Sequence, residues 1–234
     1  MARKQPKEGW RIKNAYTIRQ AARLAGTSPA TVRRWLHGYD QPGHTMKPVF
    51  GEDLEGTESA AIVSFLQLAE IVVVAAFRSR LIPLERLRRA HSFAEEQLGL
   101  SYPFATHNFK TDGAHILHEF NERQPVDQSL LALDMRGQWV MPITVTERID
   151  RFDFDKLWAV RWFPEGREIP IVIDPRVAGG KPTVANKGVR VAIIYGRYRA
   201  GESVEFIAAD FGIKPESVEV IVNQVQTHEE RYAA

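Results

Sequence analysis

The chain has no cysteine, which removes disulfides, thiol catalysis and any cysteine-ligated metal site. Long apolar runs are also missing. The longest, Phe65–Phe77, is shorter than a membrane span and is interrupted by Gln67 and Glu70, so it predicts a buried helix. No apolar run of signal-peptide type follows the basic opening MARKQPKEGWRIKNA, and a cytoplasmic protein without membrane contact is expected. Catalytic signatures are scarce. The seven histidines are scattered, and His115 and His118 have neither HExxH spacing nor a third ligand. No GxSxG nucleophile motif occurs. Asp150, Asp153 and Asp155 cluster like the acids of a metal nuclease, but no fourth carboxylate completes the set, and acids on a solvated strand or turn account for them. A non-enzymatic protein with no cofactor and no metal is the expectation.

Net charge is small, only +2, but its distribution is lopsided. Residues 1–50 hold ten lysines and arginines against two acids, Glu8 and Asp40, a surplus of eight. The rest of the chain holds twenty-one bases and twenty-seven acids, a deficit of six. A basic head on an acidic body suits a phosphate-binding module joined to a module for a different partner.

The residues under that basic charge have a definite pattern. Thr17-Ile18-Arg19-Gln20 has capping-box spacing, with Thr17 as N-cap and Gln20 reaching back. A short helix follows, predicted to bury Ile18, Ala21, Ala22 and Ala25. Gly26-Thr27 supplies a turn, and Ser28-Pro29 restarts a helix as N-cap and first-turn proline. The second helix, Pro29–His37, buries Val32, Trp35 and Leu36. A helix-turn-helix needs a small residue where its helices cross, here Ala22, and a turn residue tolerant of positive φ, here Gly26. Ser28, Thr31, Arg33, Arg34 and His37 are left off the buried face, where they would meet phosphates and base edges, with Thr17 at the entrance to the motif.

The stretch YTIRQAARLAGTSPATVRRWL resembles the opening helix-turn-helix of MerR-type regulators. That resemblance implies a small β wing after the recognition helix, for which Gly38–Phe50 is the candidate, with Pro42-Gly43 as its turn and Lys47 as a further DNA contact. Two helices are then expected, Ser59–Arg80 and Pro83–Leu98, the second with Leu84, Leu87, Phe93 and Leu98 inward. The MerR dimerisation heptad and cysteine metal site are missing. From Thr106 to Val172 short strands are predicted at Ala114–Phe120, Leu130–Asp134 and Gln138–Ile143, the last two turning at Met135-Arg136-Gly137. A further pair, Leu157–Phe163 and Glu168–Ile173, would turn at Pro164-Glu165-Gly166, giving one small antiparallel sheet.

Near the C-terminus the first template returns. Aligning Gly212 with Gly26 sets Ala208 on Ala22, Phe211 on Ala25, Pro215 on Pro29, Val218 on Val32 and Ile221 on Trp35. This second helix-turn-helix is acidic: residues 203–234 hold two lysines and arginines against six acids. Phosphate repels such a helix, so it is assigned to protein contacts. The string GGKPTVANKGVRV…GESVEFIAADFGIKPESVEVIV resembles the trihelical C-terminal domain of VapB-like antitoxins. The resemblance implies an antitoxin that binds its own operator and neutralises a PIN-type ribonuclease toxin. Lys181, Lys187, Arg190 and Lys214 are auxiliary DNA-binding candidates. Gly179-Gly180-Lys181-Pro182 lacks phosphate-loop spacing and is read as a turn. Arg151, Arg161 and Arg167, interleaved with aromatics, have the composition of an interface hot spot and are the candidate toxin contacts.

The expected fold is α+β and mainly helical. Residues 1–105 form a MerR-like winged helix-turn-helix head, 106–173 a connecting antiparallel β region, and 174–234 a trihelical domain. A homodimer is expected, because one short recognition helix reads too few base pairs alone. The competing reading is a stand-alone MerR-like regulator that senses a small molecule in the apolar middle region.

Overall fold

Capping chemistry sets the first elements. A short strand, β1 (Asn14–Tyr16), ends at Thr17, whose hydroxyl accepts from the Gln20 amide at 3.1 Å while Gln20 Oε1 accepts from the Thr17 amide at 3.0 Å. This reciprocal cap opens α1 (Ile18–Ala25), which closes on Gly26 at φ 69. Ser28 caps α2 (Pro29–His37) through its hydroxyl, which accepts from the Thr31 amide at 3.1 Å. Gly38 ends α2 at φ 71, and a Cβ there would lie 2.2 Å from the Met46 carbonyl oxygen, so glycine is required twice over. The chain then forms a hairpin of β2 (Tyr39–Gln41) and β3 (His44–Met46), with Asp40 opposite Thr45 and the two side chains hydrogen-bonded at 2.8 Å. This is the expected wing.

This computed structural model describes residues 6–7, 9–41, 43–50, 63–124 and 129–232, so the predicted helix start at Ser59 lies outside the described residues. The chain divides into two compact units, Met1–Asp150 with Phe154–Ala159, and Arg151–Asp153 with Val160–Ala234. In the first unit, β4 (Val63–Ser64) pairs antiparallel with β1 and leads into α3 (Phe65–Arg78). Every residue from Phe65 to Val74 is buried, and α3 packs against α1, α4 (Leu84–Leu98) and the Pro103–Ala105 turn. In α4, Leu87 is buried as expected; Leu84, Phe93 and Leu98 are half-buried. The deepest polar group on α4 is His91, whose Nε2 lies 3.0 Å from Glu70 of α3, both essentially inaccessible to solvent. Glu70 also accepts from the Phe104 amide at 3.2 Å, so this buried carboxylate ties two helices and a turn together.

The expected strand Ala114–Phe120 is instead part of a helix, α5 (His107–Arg123). Thr106 caps it, and Phe109, Gly113, Ile116, Leu117 and Phe120 recur at helical spacing on its buried face. Gly113 admits Met141, since a Cβ there would fall 2.5 Å from the Met141 methyl. The next expected strands shorten to β5 (Ala132–Leu133) and β6 (Trp139–Val140), and the chain becomes helical again at α6 (Ile143–Asp150), which packs on α3 and α5. The turn between β5 and β6 is where it was predicted: Asp134 Oδ1 accepts from the amides of Arg136 at 2.9 Å and Gln138 at 2.8 Å, and Gly137 takes φ 74. Residues 106–173 therefore carry two helices as well as strands.

After α6, β7 (Phe152–Asp155) pairs with β8 (Trp158–Trp162). The turn between them is tight, with Lys156 at φ 56 and the Leu157 amide donating to Asp155 at 2.6 Å. The hairpin expected between Leu157–Phe163 and Glu168–Ile173 reduces to a single bridge, Trp162 to Ile173, because β8 takes β7 as its partner. β9 (Ile171–Val172) pairs antiparallel with β10 (Thr183–Val184). Among the described residues the strands form five separate pairs, not one sheet. Helices α7 (Val191–Arg199), α8 (Val204–Phe211), α9 (Pro215–Thr227) and the single turn α10 (Glu229–Tyr232) complete the second unit. Their core is Ile194, Ile207, Ala208, Val218, Ile221, Val222 and Val225. No helix among the described residues is long and apolar enough to cross a membrane.

Candidate nucleic-acid interface

Helices α1 and α2 cross on side chains too small or too well fitted to be exposed: Ala21, Ala22, Val32, Trp35 and Leu36 are buried. Leu24 takes the inward place expected for Ala25, and both Ala25 and Ile18 are half-buried. The outer face of α2 presents Arg33 and Arg34, both exposed, with Thr31 and His37 half-buried beside them. Ser28 is exposed at the helix start, and its hydroxyl lies 2.8 Å from that of Thr31. Thr17 and Ser28 serve as caps: their hydroxyl oxygens accept from the Gln20 and Thr31 amides and so fix where each helix starts. The Arg34 guanidinium lies 5.3 Å from the ring centre of Tyr39 on the wing, so recognition helix and wing are joined by a cation–π contact. Lys47, just past the wing, is exposed.

The second helix-turn-helix repeats this geometry. Gly212 ends α8 at φ 59 as Gly26 ends α1 at φ 69. The amide after each glycine returns to the crossing alanine, Ile213 to Ala208 at 3.0 Å and Thr27 to Ala22 at 2.9 Å. Val218 and Ile221 are buried where Val32 and Trp35 are buried. The exposed residues differ, since α9 shows Glu216 and Glu219 with Lys214 at its cap. Of the other auxiliary candidates, Lys187 and Arg190 are exposed and Lys181 is half-buried.

The arginine–aromatic segment separates into a core and a rim. Phe152 and Trp162 stack at 5.6 Å and are buried, as is Trp158. On the rim, Arg161 and Arg167 both pair with Asp153, at 2.6 and 2.8 Å, and lie 6.0 and 4.9 Å from the Phe163 ring. Two cations therefore share one carboxylate. Arg151 donates to the Pro164 carbonyl at 2.6 Å.

Two features had escaped the sequence reading. The Glu70–His91 pair joins residues far apart in the chain. Arg197 of α7 binds Glu202 through two nitrogens, pairs with Asp210, and faces the rings of Phe206 and Phe211. Only the proximity of arginine to acids and aromatics hinted at the latter. The acids suspected of metal binding each have a cation: Asp150 pairs with Lys110 at 2.9 Å, Asp153 with Arg161 and Arg167, and Asp155 with Arg11 at 3.1 Å. His118 lies 3.8 Å from Glu122, and His115 is exposed. Among the described residues no group of three or more histidines and carboxylates is placed to hold a metal ion.

Comparison with known proteins bears on both ends of the chain. Residues 14–91 match the family described as "Putative DNA-binding HTH domain", and residues 171–222 match "Protein of unknown function (DUF433)". A Mycobacterium tuberculosis protein named "Putative antitoxin VapB45" is 30% identical over 87% of this chain and 90% of its own length. The uncharacterized protein Rv2308 of the same organism is 26% identical, over 92% of both chains. The crystal structure of Rv2018 from M. tuberculosis superposes with a TM-score of 0.76 at 27% identity, covering 90% of this chain and 98% of that one. With α1 and α2 forming the helix-turn-helix and α7 to α9 within and beyond the DUF433 match, this chain belongs to the family of VapB45-like antitoxins.

Proposed function

We propose that this chain is the antitoxin of a type II toxin–antitoxin pair, a cytoplasmic, non-enzymatic homodimer that binds its operator and neutralises a PIN-type ribonuclease toxin. The observation that carries the reading is the exposed Arg33–Arg34 face of α2, on a buried helix-turn-helix scaffold, in a segment with a basic surplus of eight. Residues 1–105 read DNA in this account, through Thr31, Arg33, Arg34, His37 and Lys47 with the capped helix starts at Thr17 and Ser28. Residues 106–173 connect, and 174–234 form the antitoxin domain, with Lys181, Lys187, Arg190 and Lys214 as auxiliary phosphate contacts. The rim formed by Arg161, Phe163 and Arg167, braced by Arg151, faces the toxin, where cations would enter the carboxylate-lined pocket of a PIN-type nuclease. A small-molecule sensor would draw on the apolar middle region, but α3 there is occupied in packing against its neighbours.

Co-expression with a PIN-type nuclease encoded beside this chain, which the proposal expects to exist, tests it. The parent should restore growth and co-purify with the nuclease. Changing Arg151, Arg161 and Arg167 together to Ala should abolish rescue while the protein stays soluble. Rescue by the triple variant equal to the parent would remove this rim as the toxin surface. A parent that neither rescues nor co-purifies would overturn the antitoxin assignment.

A further inference from the structure

Arginines of this chain are repeatedly set against aromatic rings. Arg11, Arg86, Arg123, Arg161, Arg167 and Arg197 each lie within 6.0 Å of a ring centre, and each also spends donors on a carboxylate or a side-chain amide. Arg34 differs. Its guanidinium lies 5.3 Å from the Tyr39 ring centre, and among the described residues no acceptor takes a hydrogen bond from it. Asp40, the acid beside Tyr39 on the wing, accepts from the Thr45 hydroxyl at 2.8 Å instead. Arg33, exposed on the same helix, has no ring against it among the described residues.

A ring and a carboxylate hold an arginine in different ways. The carboxylate takes the in-plane N–H donors, whereas the ring takes the flat face and leaves all the donors pointing outward. An arginine already stacked has also given up part of the rotamer freedom that binding would otherwise remove. The platform under Arg34 is itself fixed. Tyr39 follows Gly38, whose missing Cβ leaves room for the Met46 carbonyl, and Tyr39 pairs with Met46 across the wing. Just past the wing, the Val49 amide donates to the Trp35 carbonyl of α2 at 2.8 Å, and Arg88 Nε of α4 donates to the Pro48 carbonyl at 3.0 Å. We propose that Tyr39 is a positioning residue for DNA binding, its ring holding Arg34 in a set direction with its donors free for the hydrogen bonds Arg34 makes to DNA. Tyr39 acts through Arg34 and makes no DNA contact of its own. This rests on the reading above that α2 contacts DNA, and adds a residue which that reading does not use.

A double-mutant cycle tests it, read by fluorescence anisotropy with the full chain and a labelled duplex of the DNA immediately upstream of its coding sequence. Tyr39→Leu should weaken binding about two- to fivefold, the range of one cation–π contact, while Tyr39→Phe, which keeps the ring, should bind like the parent. In an Arg34→Ala background Tyr39→Leu should cost nothing further, and in a Lys47→Ala background its full cost should remain. By NMR of the free protein, the ring should shift the Arg34 Nε–H proton upfield in the parent and in Tyr39→Phe, and Tyr39→Leu should abolish the shift. A cost that persists without Arg34, or that vanishes without Lys47, would overturn the proposal, since the tyrosine would then serve the wing. So would a Tyr39→Phe variant as weak as Tyr39→Leu, since the hydroxyl would then contact DNA itself. A Tyr39→Leu variant as tight as the parent, beside a weaker Arg34→Ala variant, would overturn the proposal and leave the DNA-binding reading intact. A parent that does not bind the duplex would overturn that reading, and the proposal with it.

Discussion

Glu165 occupies a corner of the second unit where the Tyr232 hydroxyl and the Arg231 guanidinium both donate to its carboxylate. Burial alone would raise its pKa, but those two hydrogen bonds and the arginine's charge outweigh burial and hold it below the ordinary carboxylate value. Tyr232 is shifted the other way, upward, by burial and by its bond to Glu165. The signs then differ at the two ends of the pH scale. Glu165 contributes stability above its unfolded pKa, about 4.3, and this is lost as pH falls through the depressed folded value. Tyr232 contributes stability in full below about pH 10, and this is lost as pH rises further. Tyr232→Phe should therefore lower the unfolding free energy at neutral pH by about 1.5–3 kcal/mol, the worth of a hydrogen bond to a charged group. In denaturant titrations that gap should narrow as pH falls through the depressed folded value of Glu165, where its carboxylate takes up a proton. A gap that stays the same size down to the acid limit of folding would show that the tyrosine does not act through the Glu165 carboxylate.

At the scale of elements, α1 with α2 and α8 with α9 are one template carrying two surfaces. If the acidic face of α9 serves protein contacts, Glu216→Gln with Glu219→Gln should leave operator affinity almost unchanged and disturb partner binding or assembly, read by gel shift and sedimentation on the same protein. A large rise in affinity confined to the operator would instead place α9 at the groove. Both copies of the template were legible in the sequence because their determinants are local: a cap bonded three residues on, a glycine in the left-handed region, a proline in the first turn. Elements set by distant partners were not. β1 finds β4, and His91 finds Glu70, across spans that no window of sequence relates. The strand expected within α5 has another cause: six residues are too short a frame, although Ile116, Leu117 and Phe120 already fall at helical spacing, and Phe109 and Gly113 complete the buried face. The hairpin after α2 and the β5–β6 turn were legible from Pro42-Gly43 and Met135-Arg136-Gly137, whereas Asp134, expected in a strand, proves to hold the second turn through its carboxylate.

Across the whole sequence charge is unevenly divided: a head with a basic surplus of eight and a remainder with an acidic surplus of six. A uniformly basic protein would bind any polyanion, whereas here the basic surplus lies within residues 1–50, and the proposed DNA contacts Arg33, Arg34 and Lys47 fall inside it. DNA affinity should therefore depend steeply on salt, and the dependence should reside in the head. The direct measurement is operator affinity across a salt series for the parent and for Arg33→Ala with Arg34→Ala, with folding checked by circular dichroism. An arginine bidentate to a base should cost roughly 1–3 kcal/mol when lost and relax sequence choice, and one on phosphate should lower the salt slope by about one. The account predicts a double variant that is folded, binds the operator at least about tenfold more weakly, and shows a shallower slope, a lower preference for the operator, or both. A folded double variant with the parent's affinity and the parent's salt slope would contradict it.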